Sequence, residues 1–160
     1  MKAVTIKQLK DELSHKSALD LKELCLHLDR FKKENKELLT YLLFESHDEE
    51  SYIQIIKDEV DIQFDEINTK SFFYIRKSSR KILTSIKKHI RYSKKKETEA
   101  ELLLYFCKKL KAFKPSIKRS SSLQSVFDTQ IRMIKKAIDK LHEDLQYDFQ
   151  LELNELLENE

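Results

Sequence analysis

Residues 76–96 read RKSSRKILTSIKKHIRYSKKK and contain ten lysines or arginines but no Asp or Glu. Counted from Ile86 at about 100° per residue, the isoleucines between Ile75 and Ile90 fall within about 40° of one line on a helical wheel. The basic side chains of the stretch fall about 80° or more from that line. The pattern therefore predicts a helix that buries one apolar side and exposes a cationic one.

The composition of the whole chain also points to helices. Its 160 residues include no Gly and a single Pro, Pro115. Hairpin turns, bulges and nucleotide-binding loops need the backbone freedom of Gly, so β-rich folds, GxGxxG motifs and Walker loops are excluded. We therefore predict an all-α fold: a single-domain antiparallel helical bundle of five to seven helices over residues 1–160, with a short α-solenoid as the alternative.

Helix starts are predicted where Ser or Thr is followed three positions later by Gln, Glu or Asp, because such pairs satisfy two backbone donors reciprocally. They occur at Thr5–Gln8, Ser17–Asp20, Ser46–Glu49, Thr98–Glu101 and Ser121–Gln124. The apolar periods that follow predict helices over residues 6–14, 18–44 with a break near Asn35, 47–66, 70–93, 99–113 and 122–157.

The last predicted helix is the longest. Its apolar residues from Leu123 to Leu145 alternate in steps of four and three, which is the seam of a coiled coil. After Leu145 the pattern slips to Phe149, Leu153 and Leu156, so a bundle helix fits better than an extended coiled coil. Formation of a homodimer through this C-terminal helix is an expectation of the same pattern.

The apolar stripes name the residues expected in the core. The second helix contributes Leu21, Leu24, Leu28, Phe31, Leu38, Leu39, Leu42 and Leu43, and the third contributes Ile53, Ile56, Val60, Phe64 and Ile67. The two cysteines, Cys25 and Cys107, lie within such stripes and are expected to be buried free thiols in a reducing cytoplasm. The amino terminus lacks an apolar signal segment and no apolar run is long enough to span a bilayer, so the predicted location is cytoplasmic, with no transmembrane segment.

Charge is distributed unevenly along the chain. Residues 70–119 carry 17 basic and 3 acidic side chains, whereas residues 1–69 carry 10 and 16, and residues 120–160 carry 4 and 9. Although the net charge of the chain is only +3, residues 70–119 are strongly cationic. The candidates for binding a polyanion are Arg76, Lys77, Arg80, Lys81, Lys87, Lys88, Arg91, Lys94, Lys95 and Lys96. Basic residues from Lys108 to Arg119 would extend this region over 76–119.

Besides contact with a protein or an anionic membrane, two interpretations fit the basic stretch. In one, several Lys and Arg side chains hold the backbone of a nucleic acid and release its counterions, and Phe73, Tyr74 or Tyr92 stacks on a base. In the other, the acidic helix over 47–66 runs antiparallel beside the basic helix and balances its charge. RNP, KH and zinc-finger motifs are missing from the sequence, so sequence-specific recognition of bases is not expected.

Two carboxylate–histidine pairs are the nearest approach to a catalytic or metal site. Glu12/His15 and Asp139/His142 have the three-residue spacing that places both groups on one helix face, as in ferritin-like diiron bundles. The further inward Glu residues that such a site needs are not identifiable, and neither cysteine has a His partner. We therefore expect no enzyme activity and no cofactor, with a metal-dependent helical-bundle enzyme as the second alternative.

Three stretches resemble a group of uncharacterised short bacterial helical proteins rich in Lys and Ile: LKELCLHLDRFKKENKELLTYLL (21–43), ELLLYFCKKLKAF (101–113) and LHEDLQYDF (141–149). The resemblance covers most of the chain and implies an all-helical fold in a bacterial cytosol, without any activity or site residues. The expected function is a non-enzymatic interaction or adaptor protein with an unidentified protein partner. Non-specific nucleic-acid binding through residues 76–119 is the alternative.

Overall fold

The computed structural model describes residues 1–158, which fold as helices and contain no strand. The α-helices are α1 (Ile6–Ser14), α2 (Ala18–Phe31), α3 (Lys33–Thr40), α4 (Glu49–Asp65), α5 (Phe72–Ser93), α6 (Lys96–Ala112), α7 (Ser121–Ile138) and α8 (Glu143–Glu158). A π-helical turn over Tyr41–Glu45 follows α3, and a 3₁₀ turn over Ile117–Arg119 precedes α7. The predicted all-α fold is confirmed. The described range holds eight α-helices instead of five to seven, because two of the predicted helices are divided.

The first division falls at Lys32, whose backbone is extended between α2 and α3. The side-chain amide of Asn35 donates a hydrogen bond to the carbonyl oxygen of Leu28 at 2.7 Å. This bond satisfies one of the backbone acceptors that the end of α2 leaves open. The break expected near Asn35 is therefore confirmed, three residues earlier in the chain.

The second division corrects the prediction of one long C-terminal helix over 122–157. α7 ends at Ile138, and α8 begins at Glu143. At the start of α8, the ring nitrogen Nδ1 of His142 accepts the backbone N–H of Asp144 at 3.4 Å, and two acidic residues in the first turn suit the positive end of the helix dipole. The apolar spacing continues across the turn through Leu141, so periodicity alone could not show the break.

The helix starts are partly as predicted. The capping boxes at Thr5–Gln8 and Ser17–Asp20 both form. Asp48 caps α4 in place of Ser46, and the cap of α7 lies one residue earlier than predicted. The prediction that Thr98 starts a helix is wrong, because α6 already begins at Lys96 and the Thr98 hydroxyl is buried against a neighbouring helix.

Residues 45–158 form one compact unit around α6, which contacts α4, α5, α7 and α8. A helix surrounded by others must be apolar on most of its sides, and the run ELLLYFC has that character. The apolar residues of α6 that are at most 1% exposed are Ala100, Leu102, Leu103, Leu104, Phe106, Cys107 and Leu110. The predicted stripe of α4 is confirmed in full, from Ile53 to Ile67.

Residues 1–44 form a separate compact unit in which α2 packs on α3. The prediction that the α2 stripe is buried is wrong: Leu24, Leu28 and Phe31 are 43%, 58% and 74% exposed. No residue of α1 or α2 is buried. An amphipathic pattern shows which side of a helix is apolar, but it does not show that a partner covers that side.

The two cysteines differ in burial, as the apolar stripes of the two units do. Cys107 is a buried free thiol, as predicted, and burial raises its pKa to about 12. Cys25 is a free thiol as well, but it is exposed, so the prediction of burial is wrong for this residue. It belongs to the α2 stripe, whose leucines are also open to solvent.

The expectation of one domain over residues 1–160 stays a prediction. Within residues 1–158, no helix combines the length and the apolar content that crossing a lipid bilayer requires. Residues 159–160 of this expected domain lie outside the described range.

Candidate nucleic-acid interface

The ten basic residues predicted to bind a polyanion lie on α5, on the turn that joins it to α6, and at the first residue of α6, Lys96. We call the seven on α5 the basic face: Arg76, Lys77, Arg80, Lys81, Lys87, Lys88 and Arg91. Because α5 rises about 1.5 Å per residue, this face is about 22 Å long. The opposite side of α5 is buried, with at most 3% exposure at Ile75, Ser79, Ile82 and Ile86. One side of the helix thus packs and the other is cationic, as predicted.

A carboxylate ties the C-terminal end of α5 to α4 and α6. Glu49, in the first turn of α4, accepts hydrogen bonds from the hydroxyls of Ser93 and Thr98, the latter at 2.6 Å. The ammonium group of Lys95 lies 3.2 Å from the same carboxylate. Thr98 is fully buried, so Glu49 supplies the acceptor that a buried hydroxyl requires. This junction balances Lys95 within the protein.

The acidic helix α4 directs its central charges towards α6. Lys57 pairs with Glu101 at 2.7 Å, and the Tyr105 hydroxyl donates to Asp61 at 2.6 Å. Asp61 also lies 3.0 Å from Lys109. The pKa of the Asp61 carboxyl is lowered, chiefly by the Tyr105 hydrogen bond, and the pKa of Tyr105 is raised to about 12 by burial and by that same bond. These contacts form a ladder between two helices that run parallel.

α4 is antiparallel to α5, as predicted, but the polar contacts between them lie near one end. Besides the Glu49–Ser93 bond, the Tyr52 hydroxyl and Nδ1 of His89 are 2.7 Å apart. The middle of α4 pairs with α6. These contacts place the balancing of charge by α4 at the C-terminal end of α5, where Glu49 also lies 3.2 Å from Lys95.

Most of the predicted polyanion-binding residues make no ion pair with an acidic side chain of residues 1–158. Lys96 pairs with Glu99 at 2.5 Å, as Lys95 does with Glu49. Counting partners within residues 1–158, no ion pair involves Arg76, Lys77, Arg80, Lys81, Lys87, Arg91 or Lys94. Of these seven, the exposed ones are Lys77, Arg80, Lys81, Arg91 and Lys94.

The basic region does not continue along α6 as predicted. Lys108 pairs with Glu152 of α8 at 3.0 Å, Lys109 pairs with Asp61, and Lys111 donates to the backbone carbonyl of Leu156. These lysines lie on the sides of α6 that face α4 and α8. Arg119 is different, because its guanidinium carbon lies 5.9 Å from the ring centroid of Phe72, at the start of α5.

Aromatic rings stand at the same N-terminal end of α5. Phe73 is 57% exposed and Tyr74 is 45% exposed, and their ring centroids are 5.5 Å apart in an edge-on arrangement. The guanidinium carbon of Arg76 lies 5.9 Å from the centroid of Phe73. Of the three aromatic residues considered for stacking, Tyr92 is excluded, because it is buried against His89.

The carboxylate–histidine pairs lie on the surface. His15 is exposed, and its Nδ1 lies 2.6 Å from the backbone carbonyl of Asp11. His142 is 75% exposed and lies beside Asp144. No group of three or more His, Cys, Asp or Glu side chains is arranged to hold a metal ion in the part of the chain that the structure describes.

Comparison with protein-family models, with curated proteins and with solved structures finds no match for this chain.

Proposed function

We propose that this chain is a non-enzymatic helical binding protein that holds the phosphate backbone of a nucleic acid on the basic face of α5. The observation that carries the proposal is the row of cations on α5, six of seven without an ion pair within residues 1–158, beside an acidic helix whose Asp61 pairs with α6 instead. Several Lys and Arg side chains in one row can neutralise successive phosphates and release their counterions. Within residues 1–158, six of these seven side chains make no ion pair, which leaves their charges available for an external anion.

Repulsion along α5 supports a functional role for the row. Arg76 and Arg80, Lys77 and Lys81, and Lys87 and Arg91 are like-charged pairs four residues apart. Each such pair destabilises a helix by about 0.2–0.5 kcal/mol. A surface that only had to stay solvated could avoid this loss by mixing acidic and basic residues. A bound polyanion would remove the repulsion.

The proposed contact is with the backbone and not with particular bases. Flexible lysines and arginines on one exposed helix side provide charge along about 22 Å. Contacts of this type position a protein on nucleic acid but carry no sequence information. We therefore expect binding that varies little with sequence and strongly with salt.

The proposal is tested with two matched variants of the full chain, each losing four positive charges. The first removes the exposed unpaired cations, through Lys77→Gln, Arg80→Gln, Lys81→Gln and Arg91→Gln. The second removes lysines that already have partners, through Lys57→Gln, Lys108→Gln, Lys109→Gln and Lys111→Gln. Binding of labelled DNA and RNA is followed by fluorescence anisotropy at low salt.

We expect the first variant to bind at least about tenfold more weakly than the wild type, because it loses several phosphate contacts. The second variant should bind almost as well as the wild type. Equal weakening in both variants would mean that only net charge matters, and the basic face would lose its role. Absence of binding by the wild type would end the proposal.

The exposed side of α2 favours a second candidate, an interaction module that associates with a second copy of the chain. Leu24, Leu28 and Phe31 form an open stripe in steps of four and three, which is the spacing that pairs helices. Acidic Glu23 lies towards the N-terminal end of this helix and basic Arg30 towards its C-terminal end, both beside the groove at Leu24. In an antiparallel pair, the acidic end of one copy would meet the basic end of the other.

Light scattering of the full chain over a range of concentrations tests this candidate. The double variant Leu24→Glu, Phe31→Glu should be monomeric where the wild type is a dimer. The control Leu151→Glu places a charge on the outer side of α8, where Leu151 is 46% exposed. Dimerisation lost only in the control would instead favour the C-terminal helix as the interface. A wild type that is monomeric at every concentration would contradict both.

A further inference from the structure

We infer that the nucleic acid on the basic face is single-stranded, and that one of its bases stacks on the exposed ring of Phe73. The inference rests on the proposed function and adds the class of nucleic acid. The supporting observation is that exposed aromatic rings lie beside the row of cations on α5. Binding of phosphate by charge alone does not require such rings.

Phe73 lies within the arc of the basic face. At about 100° per residue, its direction falls within about 20° of those of Arg80 and Arg91. The ring is 57% exposed, so its apolar surface faces solvent among charged side chains. A solvated cationic surface has no need of such a ring, whereas a base could cover it.

A second aromatic ring and a guanidinium group complete a small platform at this end of α5. Tyr74 is 45% exposed, with its ring centroid 5.5 Å from that of Phe73. Arg76 lies against Phe73, and Arg119 lies against the neighbouring Phe72. Aromatic rings and guanidinium planes are the two kinds of side chain on which unpaired bases stack.

The combination of a cationic track and a stacking platform distinguishes single strands from duplexes. In a duplex the bases already stack on one another, so an exposed ring has no free base to contact. In a single strand every base has an open face, and stacking on an aromatic side chain adds affinity with little preference for sequence. The basic face would follow the backbone while Phe73 holds one base at its N-terminal end.

Three labelled probes of equal length test the inference by fluorescence anisotropy: an oligothymidine strand, an abasic strand with the same backbone, and a duplex. The wild type should bind oligothymidine more tightly than either of the others. Phe73→Leu keeps apolar bulk but removes the ring, and it should bind oligothymidine about 5- to 100-fold more weakly with little change on the abasic strand. The control Tyr147→Leu removes a ring that is 67% exposed on α8, and it should bind like the wild type.

Thermal unfolding of Phe73→Leu and Tyr147→Leu establishes that both variants fold, and Tyr74→Leu provides a second probe of the platform. If Phe73→Leu and Tyr74→Leu both bind oligothymidine as the wild type does, stacking is wrong although backbone binding stands. The same holds if the wild type binds duplex or abasic strand as tightly as oligothymidine. If none of the probes binds at low salt, the proposed function itself fails.

Discussion

The two charged sides of residues 45–158 differ in how their charges are satisfied. Between α4 and α6, acidic and basic side chains meet in pairs, as Lys57 does with Glu101 and Asp61 with Lys109. On α5, the cations stand in a row and six of the seven make no ion pair within residues 1–158. The number of charges on a helix therefore says little about its role. The arrangement of their partners says more.

Helix direction and register explain the difference. α4 and α6 are parallel, and residues 44 positions apart face each other at two successive turns, Lys57 with Glu101 and Asp61 with Tyr105. α5 is antiparallel to α4, and its hydroxyl and histidine contacts with α4 lie near its C-terminal end. Six of the seven cations of its basic face make no ion pair within residues 1–158.

The largest loss of stability is expected when the junction at the end of α5 is broken. Glu49→Ala leaves the buried hydroxyl of Thr98 without the acceptor it has in the wild type. Because hydrogen bonds to a charged group contribute about 1.5–3 kcal/mol, we expect the free energy of unfolding in urea to fall by about 2–3 kcal/mol. The neighbouring variant Glu50→Ala alters an exposed residue and should change it by less than about 0.5 kcal/mol. If Glu49→Ala and Glu50→Ala lower the free energy of unfolding equally, the contacts of Glu49 do not stabilise the fold.

A smaller loss is expected within the ladder. Tyr105→Phe removes the hydroxyl that donates to Asp61, and we expect the free energy of unfolding at neutral pH to fall by about 1 kcal/mol. Tyr147→Phe, at an exposed position on α8, serves as the control. If Tyr105→Phe is as stable as the wild type, the hydrogen bond has no net value.

The pH dependence of the same variant sharpens this test. The pKa of Tyr105 is raised from 10.0 to about 12 in the folded protein. Because its pKa is raised, the protonated hydroxyl contributes fully to the stability of the fold at a pH below 10.0, the pKa in the unfolded chain. This contribution is lost as the pH rises from 10 through about 12. The difference in unfolding free energy between the wild type and Tyr105→Phe should therefore shrink over this range. A difference in unfolding free energy that stays constant over this range would show that the fold does not raise the pKa of Tyr105.

The smallest effect is expected on the basic face, and it has the opposite sign. Lys77→Glu removes repulsion with Lys81 and creates a favourable pair four residues apart. We expect the free energy of unfolding to rise by up to about 0.5 kcal/mol, while nucleic-acid affinity falls. The control Lys57→Glu breaks an ion pair and should lower stability instead. Destabilisation by Lys77→Glu would mean that the basic face has partners that stabilise the fold.

Periodicity predicted the parts of the fold that depend on one helix at a time. The buried sides of α4 and α5 follow from the spacing of their isoleucines, and the exposed cations follow from the same wheel. Periodicity did not predict which charged and polar side chains would pair between helices. That Asp61 meets Tyr105, and that Thr98 binds Glu49 instead of capping a helix, depends on the register between helices, which one sequence does not show.

The same limit explains the misplaced core residues of residues 1–44. The stripe at Leu24 and Leu28 has the spacing of the stripe at Val60 and Phe64, yet only the second is buried. Spacing identifies the apolar side of a helix, but burial needs a second surface. The candidate site was recognisable because a cationic side is a property of one helix. That six of its seven cations make no ion pair within residues 1–158 is a property of the packing.

The central claim is that the unpaired cations of α5 hold a phosphate backbone, and the salt dependence of binding tests it most directly. Anisotropy titrations of labelled oligothymidine with the full chain are repeated at increasing salt concentration. If four phosphates are neutralised, the logarithm of the association constant should fall with the logarithm of salt at a slope of about −3. An affinity that does not change with salt, or no binding at the lowest salt, would contradict the account.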